Sequence, residues 1–177
     1  MTTTKLRYAI DRLRGLLRPP ITVRPAPEAE IVPKERATWT WRVPHDLELC
    51  GPMTLRLRVS LEGADVANLF AGVEKWRDGR FVPFEGSYGF GLDRVTTGWR
   101  KLSRPEVGEV EVELGPSATF FRAGEEVRLI LAGRWPTARN LITGQFLAAY
   151  EPSPDCAIRV HCGGAQAPRL SVPVVDS

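Results

Sequence analysis

Residue types able to carry acid–base or covalent chemistry are sparse in this chain, and none falls into a catalytic pattern. The nearest text to a nucleophile elbow is Glu85-Gly86-Ser87-Tyr88-Gly89. An elbow of the form Gly-x-Ser-x-Gly holds its serine on a sharp strand-to-helix turn. Here glutamate stands where the first glycine belongs and no helix follows, so Ser87 reads as a turn serine. His45 and His161 are too few for a His-rich metal site. Cys156, His161 and Cys162 are zinc-ligand types, but strand alternation puts His161 opposite both cysteines, and it reads as an outward residue making a structural hydrogen bond. The run Gly86-Ser87-Tyr88-Gly89-Phe90-Gly91 lacks the lysine and helix of a phosphate loop. No catalytic residue, metal or cofactor is assigned. The tryptophans (Trp39, Trp41, Trp76, Trp99, Trp135) allow a carbohydrate-binding-like module if two or more present coplanar exposed faces, against the plainer reading as core or wedge residues.

The elements that would position these residues are strands. Gly (16) and Pro (15) together exceed a sixth of the 177 residues, which suits many turns. A hydrophobic share of 43% is enough for a core, and a net charge of +3 singles out no partner. Three cysteines without closely spaced pairs predict free thiols in a reducing compartment, by default the cytoplasm. Within one strand, a rise of about 3.3 Å per residue would keep Cys156 and Cys162 too far apart to bond. No apolar run reaches the length of a membrane span, and no signal-peptide core is expected at the start.

Residues 1–36 are read as a basic amphipathic helix and a Pro-rich linker. Leu6, Ala9, Ile10, Leu13, Leu16 and Leu17 recur at helical spacing until Pro19-Pro20, with Lys5, Arg7, Arg12, Arg14 and Arg18 on the other face. Such a helix docks its leucine stripe on the domain or a partner, or touches a membrane surface; the first reading is preferred, and nucleic acid is not assigned as a partner. Residues 37–177 are read as the folded domain.

In that domain Trp39, Trp41 and Val43 share one parity. Leu55, Leu57, Val59 and Leu61 alternate with Thr54, Arg56, Arg58 and Ser60 after a Gly51-Pro52 turn. Val66–Trp76 begins as an apolar run and predicts a central strand covered on both faces. Asp78-Gly79 is a hairpin signal. Val110, Val112 and Leu114 alternate with Glu109, Glu111 and Glu113, an acidic face suited to pair with Arg56 and Arg58, or with Arg128, across strands. Around Ala123-Gly124 a short strand turns and leaves as Val127–Leu131. A long connection from Gly133 to Pro154, with a short strand at Phe146–Tyr150, leads to strands at Ala157–Cys162 and Leu170–Val175, the latter marked as an edge by Pro173. Nine or ten short strands with no helix among them predict an all-β jelly-roll β-sandwich, galactose-binding-domain-like, with a short N-terminal helix.

Several of these segments resemble one family in order. Leu49-Cys50-Gly51-Pro52-Met53-Thr54-Leu55-Arg56-Leu57 resembles the entry strand of the C-terminal domain of X-Pro dipeptidyl-peptidases and cocaine-esterase-type (CocE/NonD) hydrolases. Asn68-Leu69-Phe70 resembles its Asp-Leu-Phe segment, with Asn68 where Asp is usual. Thr97-Gly98-Trp99-Arg100 and Ser103-Arg104 are similar to a further segment, with Arg104 one step early and no histidine. Thr119 to Leu129 is similar to the most specific signature, Phe-Arg-Ala-Gly followed by an alternating strand. His161-Cys162-Gly163-Gly164 and Leu170–Val175 resemble the closing segments. The resemblance spans about Thr38 to Val175. It implies a non-catalytic jelly roll that packs on an α/β-hydrolase domain and helps wall its substrate pocket, while that hydrolase domain supplies the Ser-Asp-His triad. Met1–Arg36 does not look like part of a hydrolase, so the activity is not carried over. The expected role is an accessory or docking module for a hydrolase domain or subunit, with self-association as the other partner reading. The surface assigned to a partner or ligand is Tyr88, Phe90, Trp99, Trp135 and Tyr150. A remnant of a split peptidase or esterase is the remaining alternative.

Overall fold

The computed structural model describes residues 29–31, 36–84, 94–103, 108–133, 156–162 and 168–175. Among them there is no helix. The strands are β1 (Ala29–Ile31), β2 (Arg36–Arg42), β3 (Leu47–Glu62), β4 (Val66–Arg77), β5 (Arg80–Val82), β6 (Thr96–Ser103), β7 (Gly108–Phe121), β8 (Glu126–Ala132), β9 (Ala157–His161), β10 (Arg169–Ser171) and β11 (Val174–Val175). The N-terminal helix and the Phe146–Tyr150 strand expected from sequence lie outside the described residues. No helix among the described residues is long and apolar enough to cross a membrane.

All strands pair antiparallel in one curled sheet, in the order β1-β9-β3-β7-β6-β4-β8-β2. β10 and β11 add to β3, and β5 adds to β4. The sheet has two limbs. The first is built on β3, which pairs along its length with β7 on one side and is met on the other by β9, β10 and β11, each taking a different stretch. The second is built on β4 and β8. The limbs join where β6 meets β7, at the single pair Gly98↔Leu114. A Cβ on Gly98 would lie 2.1 Å from the Glu113 carbonyl oxygen, so only glycine permits this approach. The inner faces close on one core: Leu55, Leu57 and Val112 from the first limb, Leu69, Ala71, Leu129 and Leu131 from the second. Burying each aliphatic side chain of this kind stabilises by about 1.5–3 kcal/mol.

The expected turn at Gly51-Pro52 and the expected short strand entering at Phe120 are both corrected. β3 runs for 16 residues through Gly51-Pro52, and β7 runs for 14 through Gly115-Pro116. The two irregularities face each other. Ladder pairs stop at Gly51↔Ser117 and resume at Met53↔Leu114, leaving Pro52 opposite no residue and Gly115-Pro116 likewise. Proline has no N–H to give a ladder, so both strands place it where pairing lapses. Gly51 takes a φ of +132° there, and a Cβ on it would meet Pro173 Cγ at 2.9 Å. Part of the stretch read as linker is paired, since β1 lies against β9.

Asp78-Gly79 forms the two-residue hairpin its sequence signals, both residues at positive φ (+50° and +74°) between the Arg77↔Arg80 pair. Trp39 and Trp41 do share the core side of β2: Trp39 is buried, and Trp41 packs half-buried beside it. Glu111 faces Arg56, and Glu109 faces Arg58 across the β3–β7 ladder. The Arg56 Nε donates to Glu111 Oε2 at 2.6 Å.

Candidate functional site

Two clusters place charged side chains where a β protein normally puts apolar ones. The first surrounds the turn between β7 and β8. Glu125 N donates to the Arg122 carbonyl at 3.0 Å, and Gly124 takes φ +87°, the geometry of a turn that requires glycine at its third position. The turn is tied to the chain after β2. Gly124 N donates to Val43 O, Val43 N to Glu125 O, and Ala123 N to Asp46 Oδ1 at 2.7 Å. The Glu125 side chain folds back over its own turn and accepts from Arg122 N at 2.9 Å. It also pairs with Arg77 and, at 3.2 Å, with Lys75 Nζ.

Lys75 is the unusual member. It follows Leu69, Ala71 and Val73 on the core-facing parity of β4 and is only 5% exposed. Its ammonium donates to Phe120 O at 2.6 Å and sits 5.3 Å from the centre of the Phe121 ring. Burial by itself would raise the Glu125 carboxyl. The Arg122 amide, then Arg77 and Lys75, outweigh it and hold the carboxyl below the ordinary carboxylate range. Ser117 and Thr119, buried on the adjoining stretch of β7, share a hydrogen bond at 3.0 Å.

The second cluster lies on the outer face of β6, β4 and β8. Phe70, Ile130 and Ala132 are buried although they point away from the core. Trp99 stacks on Phe70 with ring centres 6.5 Å apart and remains 39% exposed. Lower on β4, Glu74 is 4% exposed. It accepts from Arg94 Nε at 2.9 Å and from Trp76 Nε1 at 2.8 Å. Burial draws the Arg94 guanidinium below its usual value, Glu74 opposes this, and Arg36 adds to it. Arg128 lies 3.8 Å over the Trp76 ring and donates twice to Glu126. Those hydrogen bonds, foremost among the causes, hold the Glu126 carboxyl low. Arg36 and Lys101 are exposed on the same outer face as the Phe70–Trp99 stack, while Arg100, in register with core-facing Leu69, alternates to the other face.

Of the surface assigned from sequence, Trp99 is found exposed on an outer face. Tyr88, Phe90, Trp135 and Tyr150 lie outside the described residues, as does Ser87. No two described tryptophans form a coplanar exposed pair: Trp39 is in the core, Trp41 packs on it and Trp76 is covered by Arg128. His45 is exposed. His161 lies on the face away from the core, its Nε2 3.0 Å from Ser60 Oγ, the structural hydrogen bond expected of it. Cys50, Cys156 and Cys162 are in no disulfide among the described residues, and the latter two are buried. Among the described residues no three metal-ligating side chains cluster. Sequence reading missed Lys75, Glu125 and the Glu74–Arg94 pair. The first carried a signal, a lysine on the core parity of a strand, which requires a buried partner.

An antiparallel all-β domain without a described catalytic constellation is the class these features define. The chain belongs to the family described as the X-Pro dipeptidyl-peptidase C-terminal non-catalytic domain, whose model matches residues 26–171. Two crystal structures of a CocE/NonD family hydrolase from Staphylococcus aureus superpose at TM-score 0.76, with 25% and 26% identity over 88% of this chain. An aminopeptidase from a marine sediment archaeon, Thaumarchaeota archaeon, shares the fold at 15% identity and TM-score 0.54, covering 80% of this chain and 26% of its own. The chain spans about a third (34%) of the length of the Staphylococcus enzyme. A search of curated proteins found no match.

Proposed function

We propose that this chain is a jelly-roll β-sandwich accessory domain that docks on an α/β-hydrolase domain or subunit and shapes its substrate pocket without contributing a triad. The observation that carries the reading is the family match over residues 26–171 to a domain described as non-catalytic. The superposition onto a third of a CocE/NonD hydrolase supports it, since that leaves two thirds of the enzyme for other parts. The two limbs closing on one core support the sandwich. Trp99, exposed on Phe70 with Arg36 and Lys101 on the same face, supports a docking surface: an aromatic anchor with basic neighbours. The reaction served would be that of an X-Pro dipeptidyl-peptidase or an esterase. The three cysteines, in no disulfide among the described residues, support a reducing compartment, the cytoplasm.

The test is hydrolysis of a p-nitrophenyl acyl ester and an X-Pro anilide by the full chain, with and without a serine-directed phosphonate. No turnover and no adduct are expected alone. Added to a CocE/NonD-type hydrolase domain stripped of its own C-terminal domain, the chain raises kcat/KM. Turnover by the chain alone, with an adduct on any of its serines, overturns the reading.

A further inference from the structure

Beside the Arg122–Glu125 turn the inner face opens into a cleft, apolar on one wall through Val82, Pro83, Phe84 and Val95 and polar on the other through Lys75 and Thr119. The cleft admits about one water-sized group. Both polar residues are at least nine-tenths buried, so their hydrogen bonds can be counted. Lys75 has three N–H donors. Phe120 O takes one at 2.6 Å and Glu125 Oε2 takes another at 3.2 Å, and the third has no acceptor among the described residues. Ser117 Oγ and Thr119 Oγ1 share one hydrogen bond, so one of their two hydroxyl protons also has no acceptor there. Among the described residues, the charges paired beside the cleft are Lys75 and Arg77 against Glu125, a surplus of one positive charge. Val82 lies opposite Lys75 in the β4–β5 ladder, so the two side chains share one face of the sheet.

Two donors without an acceptor among the described residues, a surplus positive charge among them and an apolar wall define the complementary ligand. It carries a negatively charged acceptor on a short apolar group. We propose that this cleft is a carboxylate-binding site. One carboxylate oxygen accepts from the Lys75 ammonium and from the Ser117–Thr119 hydroxyl pair, and the attached chain lies against Val82, Phe84 and Val95 at the mouth. The carboxylate belongs to a free short-chain acid or to the C-terminus of a peptide. The site makes no use of the docking surface and stands whether or not the chain serves a hydrolase.

The experiment is a titration of the 15N-labelled full chain, followed by amide shifts at constant ionic strength. The probes are sodium propionate, an N-acetylated apolar tripeptide acid and the same tripeptide as its C-terminal amide, with sodium chloride as the control salt. Saturable shifts at Lys75, Val82 and Thr119 are expected with one or both acids and not with the amide. Binding of propionate supports a free acid as the source; binding of the tripeptide acid alone supports a peptide C-terminus. Thr119→Val, close in volume, is expected to weaken binding about tenfold, the loss of one hydrogen bond to a charged group, with an unchanged thermal midpoint. Lys75→Met is expected to abolish binding. Because it also strips Glu125 of a partner and can unfold the chain, Ser117→Ala serves as the second variant, with the same expected weakening. Absence of saturable shifts with both acids, equal binding of acid and amide, or undiminished affinity in both hydroxyl variants overturns the proposal and leaves a cleft that holds a water.

Discussion

The two limbs treat their outer faces in opposite ways. On β3 and β7 the outward residues Arg56, Glu109, Glu111 and Glu113 are exposed, with Thr54, Arg58 and Ser60 half-buried, and Arg56 and Glu111 pair in solvent. On β4 and β8 the outward residues Phe70, Glu74, Ile130 and Ala132 are buried, and Asn68, Trp76, Glu126 and Arg128 are half-buried. The same ion-pair chemistry, arginine to glutamate, thus occurs in water on one limb and under cover on the other as Arg94–Glu74. A solvated pair is worth little because water competes for both partners. A buried pair is costly to break, since removing one partner strands the other charge. The first limb therefore spends its outer face on solubility, and the second holds a packed, partly aromatic layer of the kind an interface uses.

The sharpest way to break this arrangement is at its joint. Gly98 is the only residue of β6 in register with β7, and a methyl there meets backbone rather than a movable side chain. Gly98→Ala is expected to cost on the order of 5 kcal/mol, read as loss of a cooperative urea transition or a large fall in its midpoint. A change under about 1 kcal/mol would mean that the limbs are not held at this distance.

Glu74→Ala comes next. It removes the carboxylate that accepts from Arg94 Nε and from Trp76 Nε1, and it is expected to destabilise by about 3–5 kcal/mol by urea unfolding. Glu125→Gln follows, at about 2–3 kcal/mol near neutral pH, because the amide can still accept from Arg122 N. Its pH dependence has a definite sign. The folded Glu125 carboxyl is held below its unfolded value, so its contribution is complete above the ordinary carboxylate range, near pH 4.3 (roughly), and is lost as pH falls through the lower folded value. The gap between native protein and Glu125→Gln should therefore narrow in unfolding curves measured at about pH 3. Glu126, also held low, stays in both proteins and keeps some acid sensitivity in the variant. A gap that widens on acidification would contradict the assignment.

Which of these features the sequence reveals follows from how local each one is. Alternation in Met53–Leu61 and Val107–Leu114, the Asp78-Gly79 hairpin and the Gly124 turn all depend on residues within a few positions of one another. The doubly covered β4 is legible too, because its run from Leu69 to Val73 leaves no face polar. Gly51-Pro52 misleads because it looks like a turn alone, and Gly115-Pro116 goes unremarked. Only their placement opposite one another, 64 residues apart by the Gly51↔Gly115 numbering, lets two long strands pass through with a lapse in pairing. The buried charges were hidden for the same reason. Glu74 finds Arg94 20 residues away and Arg77 finds Glu125 48 away, separations that no period reports. The exposed aromatic cluster announces itself in sequence through Trp99. The ionic one needed the fold.

Trp99→Ala tests whether the second limb's face is built for a partner. The ring is partly exposed and stacks on Phe70, so its removal is expected to cost about 1 kcal/mol of stability. The gain in kcat/KM that the chain confers on a hydrolase domain should be lost out of proportion to that. If the variant loses stability and keeps the full gain, docking lies elsewhere.

The smallest effect belongs to the first limb. Glu111 sits across from Arg56 at hydrogen-bond distance, and its hydrogen bond, foremost, together with its charge, holds the Arg56 guanidinium above its usual value. Both side chains stand in solvent, 60% and 46% exposed. Holding two long side chains together costs rotamer freedom that a screened attraction barely offsets. Glu111→Gln is therefore expected to leave the urea midpoint within the scatter of ordinary surface substitutions, and added salt should erase any residue of the effect. A loss comparable to that of Glu74→Ala would show that this face, too, is covered in the functional state, and the contrast between the limbs would fall.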